Sequence, residues 1–166
     1  IASAIEGVLD EKSVVKELVD QNLLETANAF YIGRHLDYYV AMEAALKLKE
    51  ISYVQTESFA AGELKHGTIA LIEEGTPVIA LLSEPVVASH TRGNIEEVKA
   101  RGAKTMVIAM EGSEREGDDI VLPKVQMELA PILSVVVTQL IAYYTSLGKG
   151  LDVDKPRNLA KSVTVE

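Results

Sequence analysis

The stretch "TPVIALLS", residues 76–83, has a proline at its second position, runs through unbroken apolar residues and ends polar. A strand covered on both faces reads as a continuous apolar run rather than an alternation, and that is the mark of a parallel sheet. The same signature recurs at "KTMVIAM", 104–110, and more briefly at "NAFYIG", 28–33, and "IVLP", 120–123. The glycine closing 28–33 signals a tight turn after the strand. Helical patterns separate these runs. Residues 37–53 form a strong helix with Asp37 as its expected cap, and 86–101 form another. Residues 128–147 are long and apolar, with Pro131 in the first turn and Gly148 and Gly150 beyond the end. Upstream, Val14, Val15, Leu18, Val19, Leu23 and Leu24 repeat at helical spacing over 10–26, with Asp10 or Ser13 as the expected cap. Residues 68–73 read as a short helix or turn, and 111–119 as an acidic loop. Strands alternating with helices predict an α/β fold, a parallel sheet with helices on both faces. Ligands in such folds sit outside the carboxyl ends of the strands.

Composition sets the outer bounds. The chain of 166 residues is the size of one domain, and its 48% apolar and 25% charged residues are ordinary for a globular protein. No run of 18 apolar residues marks a membrane span and no basic leader marks a secretory signal. Cysteine is absent, which excludes disulfides, thiolate metal sites and a cysteine nucleophile within the chain and fits a cytoplasmic home. The formal charge of −9 argues against nucleic-acid binding, yet a few local cations suffice for an anionic small molecule. The first residue is Ile1 rather than Met, so the chain is expected to be part of a larger protein.

Three stretches could carry chemistry. In "ALKLKEISY", 45–53, Lys47 and Glu50 are three apart on a helix and share a face, with Glu43 four before Lys47. They form either a solvated charged stripe or a general base, Glu50, beside a cation. In "GELKHG", 62–67, His66 lies between two glycines; it is either structural or a proton carrier near neutral pH. In the tail "DVDKPRNLAKSVTVE", 152–166, Lys161 has apolar neighbours on both sides. It is either an exposed lysine or an amine whose docking would lower its pKa and sharpen it toward a carbonyl. No metal-ligand spacing, no P-loop and no glycine-rich phosphate fingerprint appears; "YIGRHLDYY" has a single glycine after the first strand.

Together, "GRHLDYYVAMEAALKLKEISYVQTESFAAGELKHGTIALIEEGTPVIAL" and the closing "PRNLAKSVTVE" resemble the glucosamine-6-phosphate synthase family, the glutamine–fructose-6-phosphate transaminases (isomerising). The likeness is to the second of that family's two sugar-isomerase (SIS) domains. It implies an SIS-type three-layer α/β/α sandwich over residues 28–150. Residues 1–27 would be a helical lead-in from the preceding SIS domain, and 151–166 an active-site tail. The resemblance implies conversion of fructose 6-phosphate and glutamine-derived ammonia to glucosamine 6-phosphate, on the way to UDP-N-acetylglucosamine, without a cofactor. It casts Lys161 as the Schiff-base lysine, Glu50 as the proton shuttle between C1 and C2, and Lys47 as its support and a substrate contact. His66 would assist ring opening in the neighbouring subunit of a homodimer, and Ala160 would contact the sugar through its backbone. The implied partners are the first SIS domain, which holds the phosphate, and an N-terminal glutaminase domain. The alternatives are a sugar-phosphate-sensing SIS module and a related SIS deglycase or isomerase. Such a module would lack Glu50 or Lys161, and both are present.

Overall fold

The computed structural model describes residues 1–158. Five strands form one parallel sheet: β1 (Asn28–Gly33), β2 (Gln55–Ala60), β3 (Pro77–Leu82), β4 (Lys104–Met110) and β5 (Ile120–Leu122), in the order β2-β1-β3-β4-β5. The helices are α1 (Ala2–Asp10), α2 (Lys12–Asn22), α3 (Leu36–Ser52), α4 (Pro85–Lys99) and α5 (Ala130–Gly148). Short 3₁₀ turns span Ala61–His66 and Thr68–Leu71, and a third precedes α5 at Met127–Leu129.

Alternation along each strand sorts the core into two layers. Tyr31, Ile79, Leu81, Met106 and Ile108 face α1, α2, α3 and α5. Phe30, Ile32, Val78, Ala80, Leu82, Val107 and Ala109 face α4 and the 3₁₀ segment, through Leu64, Ile95 and Val98. The result is the expected α/β/α sandwich with a parallel sheet. Every residue of β3 is buried, so its apolar run has the physical cause inferred for it. α5 and its lead-in, Met127–Gly148, have the length and mean hydropathy (1.4) of a membrane span. Half of that apolar stretch is buried inside this fold, where Leu133, Val137 and Ile141 are sealed against α2 and α3.

Several local expectations are corrected. β2 falls in a stretch to which the sequence pattern assigns no element. Its residues, QTESFA, are mostly polar because an edge strand need bury little: Thr56 is buried while Gln55 and Glu57 are exposed. The helix expected over 10–26 is the shorter α2, which ends at Asn22; α1, which the sequence pattern does not assign, precedes it and meets it at Glu11, and neither Asp10 nor Ser13 caps α2. Asp37 is not the cap of α3 either. It lies inside the first turn, buried, with its carboxylate turned to β3.

The acidic loop after β4 is held by Arg92 of α4, which donates through both Nη atoms to Asp118 and through Nη2 to the Ser113 carbonyl at 2.8 Å. The two side chains are only 11% and 4% exposed. Burial alone would raise the Asp118 pKa, but the bonds from Arg92 and the Arg115 N–H outweigh it and hold the carboxyl below its ordinary value. A depressed carboxylate contributes stability above its unfolded pKa and loses it as pH falls through the folded one. Asp118→Ala should therefore destabilise the chain by about 3 kcal/mol at pH 7, because it strands a buried guanidinium. In urea unfolding the deficit should shrink below about pH 4.

Candidate active site

The strand order reverses between β1 and β3, so the crevice at their carboxyl ends is where a doubly wound fold would take a ligand. Here that crevice is filled by the chain itself. Gly33 ends β1 so close to α3 that an added Cβ would lie 2.6 Å from the Asp37 backbone. The Asp37 carboxylate accepts the Ser83 N–H at 2.8 Å and the Ser83 hydroxyl at 2.6 Å. Burial raises the Asp37 pKa, partly offset by these two bonds. Glu84 accepts the Leu36 N–H at 2.8 Å and so takes the place at the α3 N-terminus that a phosphate oxygen would occupy. Arg34 is drawn away to Asn94 at 2.9 Å. Two built-in carboxylates thus repel an anion where the fold would offer it a cradle. The missing phosphate fingerprint has this structural counterpart.

The turn "GRHLD" carries strain. His35 adopts φ 49 and ψ −121, a backbone region suited to glycine. Its imidazole is mostly exposed and lies 3.7 Å from Glu84. His35→Gly should raise the stability of the chain by about 1 kcal/mol, since relief of about 1–3 kcal/mol of strain exceeds the entropy that glycine adds to the unfolded state. Urea denaturation of the two forms checks this.

The candidate acid–base pair lies at the other end of α3. Asp37 and Glu50 are separated by thirteen residues of helix, about 20 Å at 1.5 Å per residue. α3 runs back against the strands, so Glu50 sits toward their amino ends, not in the crevice expected from the fold class. Lys47 Nζ donates to Glu50 Oε2 at 2.7 Å and lies 3.8 Å from Glu43 Oε1. The side chains are 34% and 22% exposed. The bond to Glu50, together with both carboxylates' charge, raises the Lys47 pKa against a smaller desolvation effect. Lys47 is thus a fixed cation through neutral pH, and Glu50 keeps an oriented carboxylate. Tyr39, Met42 and Leu46 continue this exposed side of α3 as large apolar groups.

His66 is not brought to this pair. It ends the 3₁₀ turn Ala61–His66, exposed, and that turn packs on the α4 side of the sheet, opposite α3. Ala160 and Lys161 lie outside the described residues. Among the described residues no group of three or more His, Asp and Glu side chains could hold a metal ion. Sequence reasoning missed the Asp37–Ser83 and Glu84–Leu36 bonds. The signals available were the polar residue closing 76–83 and the carboxylate after it.

A family model, the SIS domain, matches residues 22–147. The chain belongs to the SIS domain family. This SIS domain is 67% identical over its whole length to a protein named glutamine–fructose-6-phosphate aminotransferase [isomerizing] from Streptococcus pneumoniae, and 68% identical to one of the same name from Streptococcus pyogenes. It spans 28% of the length of each. Among solved structures it is similar to the C-terminal domain of glucosamine-fructose-6-phosphate aminotransferase from Francisella tularensis. There the TM-score is 0.85 at 31% identity, over 92% of this chain and 44% of that one. It is also similar to a glucosamine-6-phosphate deaminase from Thermotoga maritima, with a TM-score of 0.73 at 25% identity, over 92% of this chain and 45% of that one.

Proposed function

We propose that this SIS domain is the second isomerase domain of a glutamine–fructose-6-phosphate aminotransferase and supplies its proton-transfer chemistry. The observation that carries the proposal is the Lys47–Glu50 pair, a half-buried carboxylate fixed by a cation on an exposed, partly apolar helix face. It sits in a chain that matches enzymes of that name end to end. In this reading residues 1–27 lead in from a preceding SIS domain, 28–150 form the core, and 151–166 form an active-site tail.

The chemistry balances as an isomerisation. The Lys161 amine condenses with the C2 ketone of open-chain fructose 6-phosphate, releasing water and activating C2. Ammonia then displaces the lysine, leaving an imine at C2. The Glu50 carboxylate takes a proton from C1 to give an enolamine and returns it to C2, while the O1 proton ends on the nitrogen. C1 becomes the aldehyde and C2 carries the amine. A base positioned over two adjacent carbons is worth roughly 10²–10⁴ in rate. Lys47 keeps the carboxylate in one orientation and offsets the charge that develops on the enolamine. His66, on the far side of the sheet, serves the site of the neighbouring subunit in a homodimer. Ala160 contacts the sugar through its backbone.

Phosphate recognition belongs to the preceding domain in this reading. The filled crevice supports that division, since Asp37 and Glu84 oppose an anion there. In the full-length protein Glu50→Gln and Lys161→Ala should each lower glucosamine 6-phosphate formation by at least about 100-fold. Product assayed from fructose 6-phosphate and glutamine measures this, and wild-type rates in Glu50→Gln would sink the proposal. The isolated chain of 166 residues should show little turnover, because it lacks the contacts that hold the reacting carbons over Glu50.

A further inference from the structure

Arg34 follows the end of β1 and turns toward the α4 layer. Its Nη2 donates to Asn94 Oδ1 at 2.9 Å, and the buried Asn94 carboxamide is itself held by donation from Nδ2 to Glu97 Oε2 at 3.1 Å. The guanidinium occupies the space over Gly62 where a side chain would begin. A Cβ there would lie 2.8 Å from Nη2, 3.0 Å from Nη1 and 3.1 Å from Cζ. Arg34 Nε is buried without a hydrogen-bond partner, and among the described residues Arg34 makes no ion pair.

This is a costly way to fill space. A half-buried cation with one neutral acceptor and an orphaned N–H gives up more hydration than it recovers, and an apolar side chain of similar length would not. What the guanidinium does is join three segments far apart in the chain, at residues 34, 62 and 94. The 3₁₀ turn Ala61–His66 follows the edge strand β2 and is rooted in the core beneath α4 by Ala61 and Leu64 alone. His66 stands at its exposed end. Four residues of 3₁₀ backbone, about 8 Å, separate it from Gly62. A change of seat at Gly62 is therefore passed along one short, stiff segment to the imidazole.

We infer that Arg34 is a positioning residue: seated against Gly62 and Asn94, its guanidinium fixes the turn that presents His66 to the neighbouring subunit. The inference rests on the reading of His66 as a group that acts in that subunit's site. A reacting group misplaced by about 1 Å can cost about 100-fold in rate. Loss of the seat is then felt in the neighbour's site and not in the site of the chain that carries Arg34. A residue that only held its own subunit together, or that touched substrate there, would have the opposite signature.

The test is Arg34→Met in the full-length protein, since methionine keeps an apolar stem and loses the fork. It should lower kcat for glucosamine 6-phosphate formation by about 10- to 100-fold, with KM for fructose 6-phosphate little changed. Co-expression with a differently tagged Glu50→Gln subunit then gives mixed dimers. In these the site with an intact Glu50 receives His66 from the subunit whose Arg34 is intact. The mixed dimer should recover about half of the wild-type kcat, one of its two sites being whole. Should Arg34→Met fail to form dimers, Gly62→Ala carries the same expectations, because its Cβ displaces the guanidinium. Wild-type kcat in the variant overturns the inference, and so does a loss that Glu50→Gln fails to complement. His66→Asn mixed with Glu50→Gln keeps the two ideas apart. If that pair recovers activity while Arg34→Met with Glu50→Gln does not, only the role of Arg34 is wrong. If His66→Asn is fully active, or that pair stays inactive, the reading of His66 fails and the inference falls with it.

Discussion

The bond between Asp37 and Ser83 is the constraint on which the rest of the arrangement hangs. It joins the first turn of α3 to the end of β3 across the point where the strand order reverses. With Gly33 admitting the helix to near contact, it fixes where α3 starts and how it lies on the sheet. The position of everything further along that helix follows. Lys47, Glu50 and Tyr53 are carried to the opposite edge by a rod about 25 Å long. The same bond, with Glu84 beside it, closes the crevice to anions. One buried carboxylate therefore both places the candidate acid–base pair and removes the alternative site.

That division explains an electrostatic oddity. In a chain of formal charge −9 an anionic sugar phosphate has to be held by local cations, and the crevice between β1 and β3 presents the Asp37 and Glu84 carboxylates instead. The chain's candidate chemistry needs no strong anion affinity. A carboxylate base needs a fixed orientation and an open side toward its substrate, and Glu50 has one ammonium partner and partial access to solvent. The exposed Tyr39, Met42 and Leu46 beside it are groups that another surface would have to cover before water is excluded.

Much of the fold was legible because its causes are local. The runs at 28–33, 76–83 and 104–110 are apolar because both faces are buried, and that cause leaves a direct trace. β2 left none, since an edge strand of Gln, Thr, Glu and Ser has no apolar run to show. Asp37 looked like a cap because carboxylates favour helix starts; its true partner lies 46 residues away, a separation no local rule reaches. The pairing of Lys47 with Glu50 was legible, being a helix neighbour contact. Its distance from the crevice was not, because that depends on which way α3 runs relative to the strands. His66 stood out as a residue type, yet only the two-layer core shows that it faces away from α3.

The far end of α3 is fixed by contacts of its own. The Ser146 hydroxyl donates to the Ile51 carbonyl and ties the end of α5 to the end of α3. The Tyr53 hydroxyl accepts the Arg157 N–H, and the Arg157 guanidinium lies over the ring. These last two contacts are each worth about 1 kcal/mol, and they offset the cost of a left-handed tyrosine. Glu50 therefore lies on a helix anchored at both ends, by a buried carboxylate at its start and by a turn of the chain after α5 at its close.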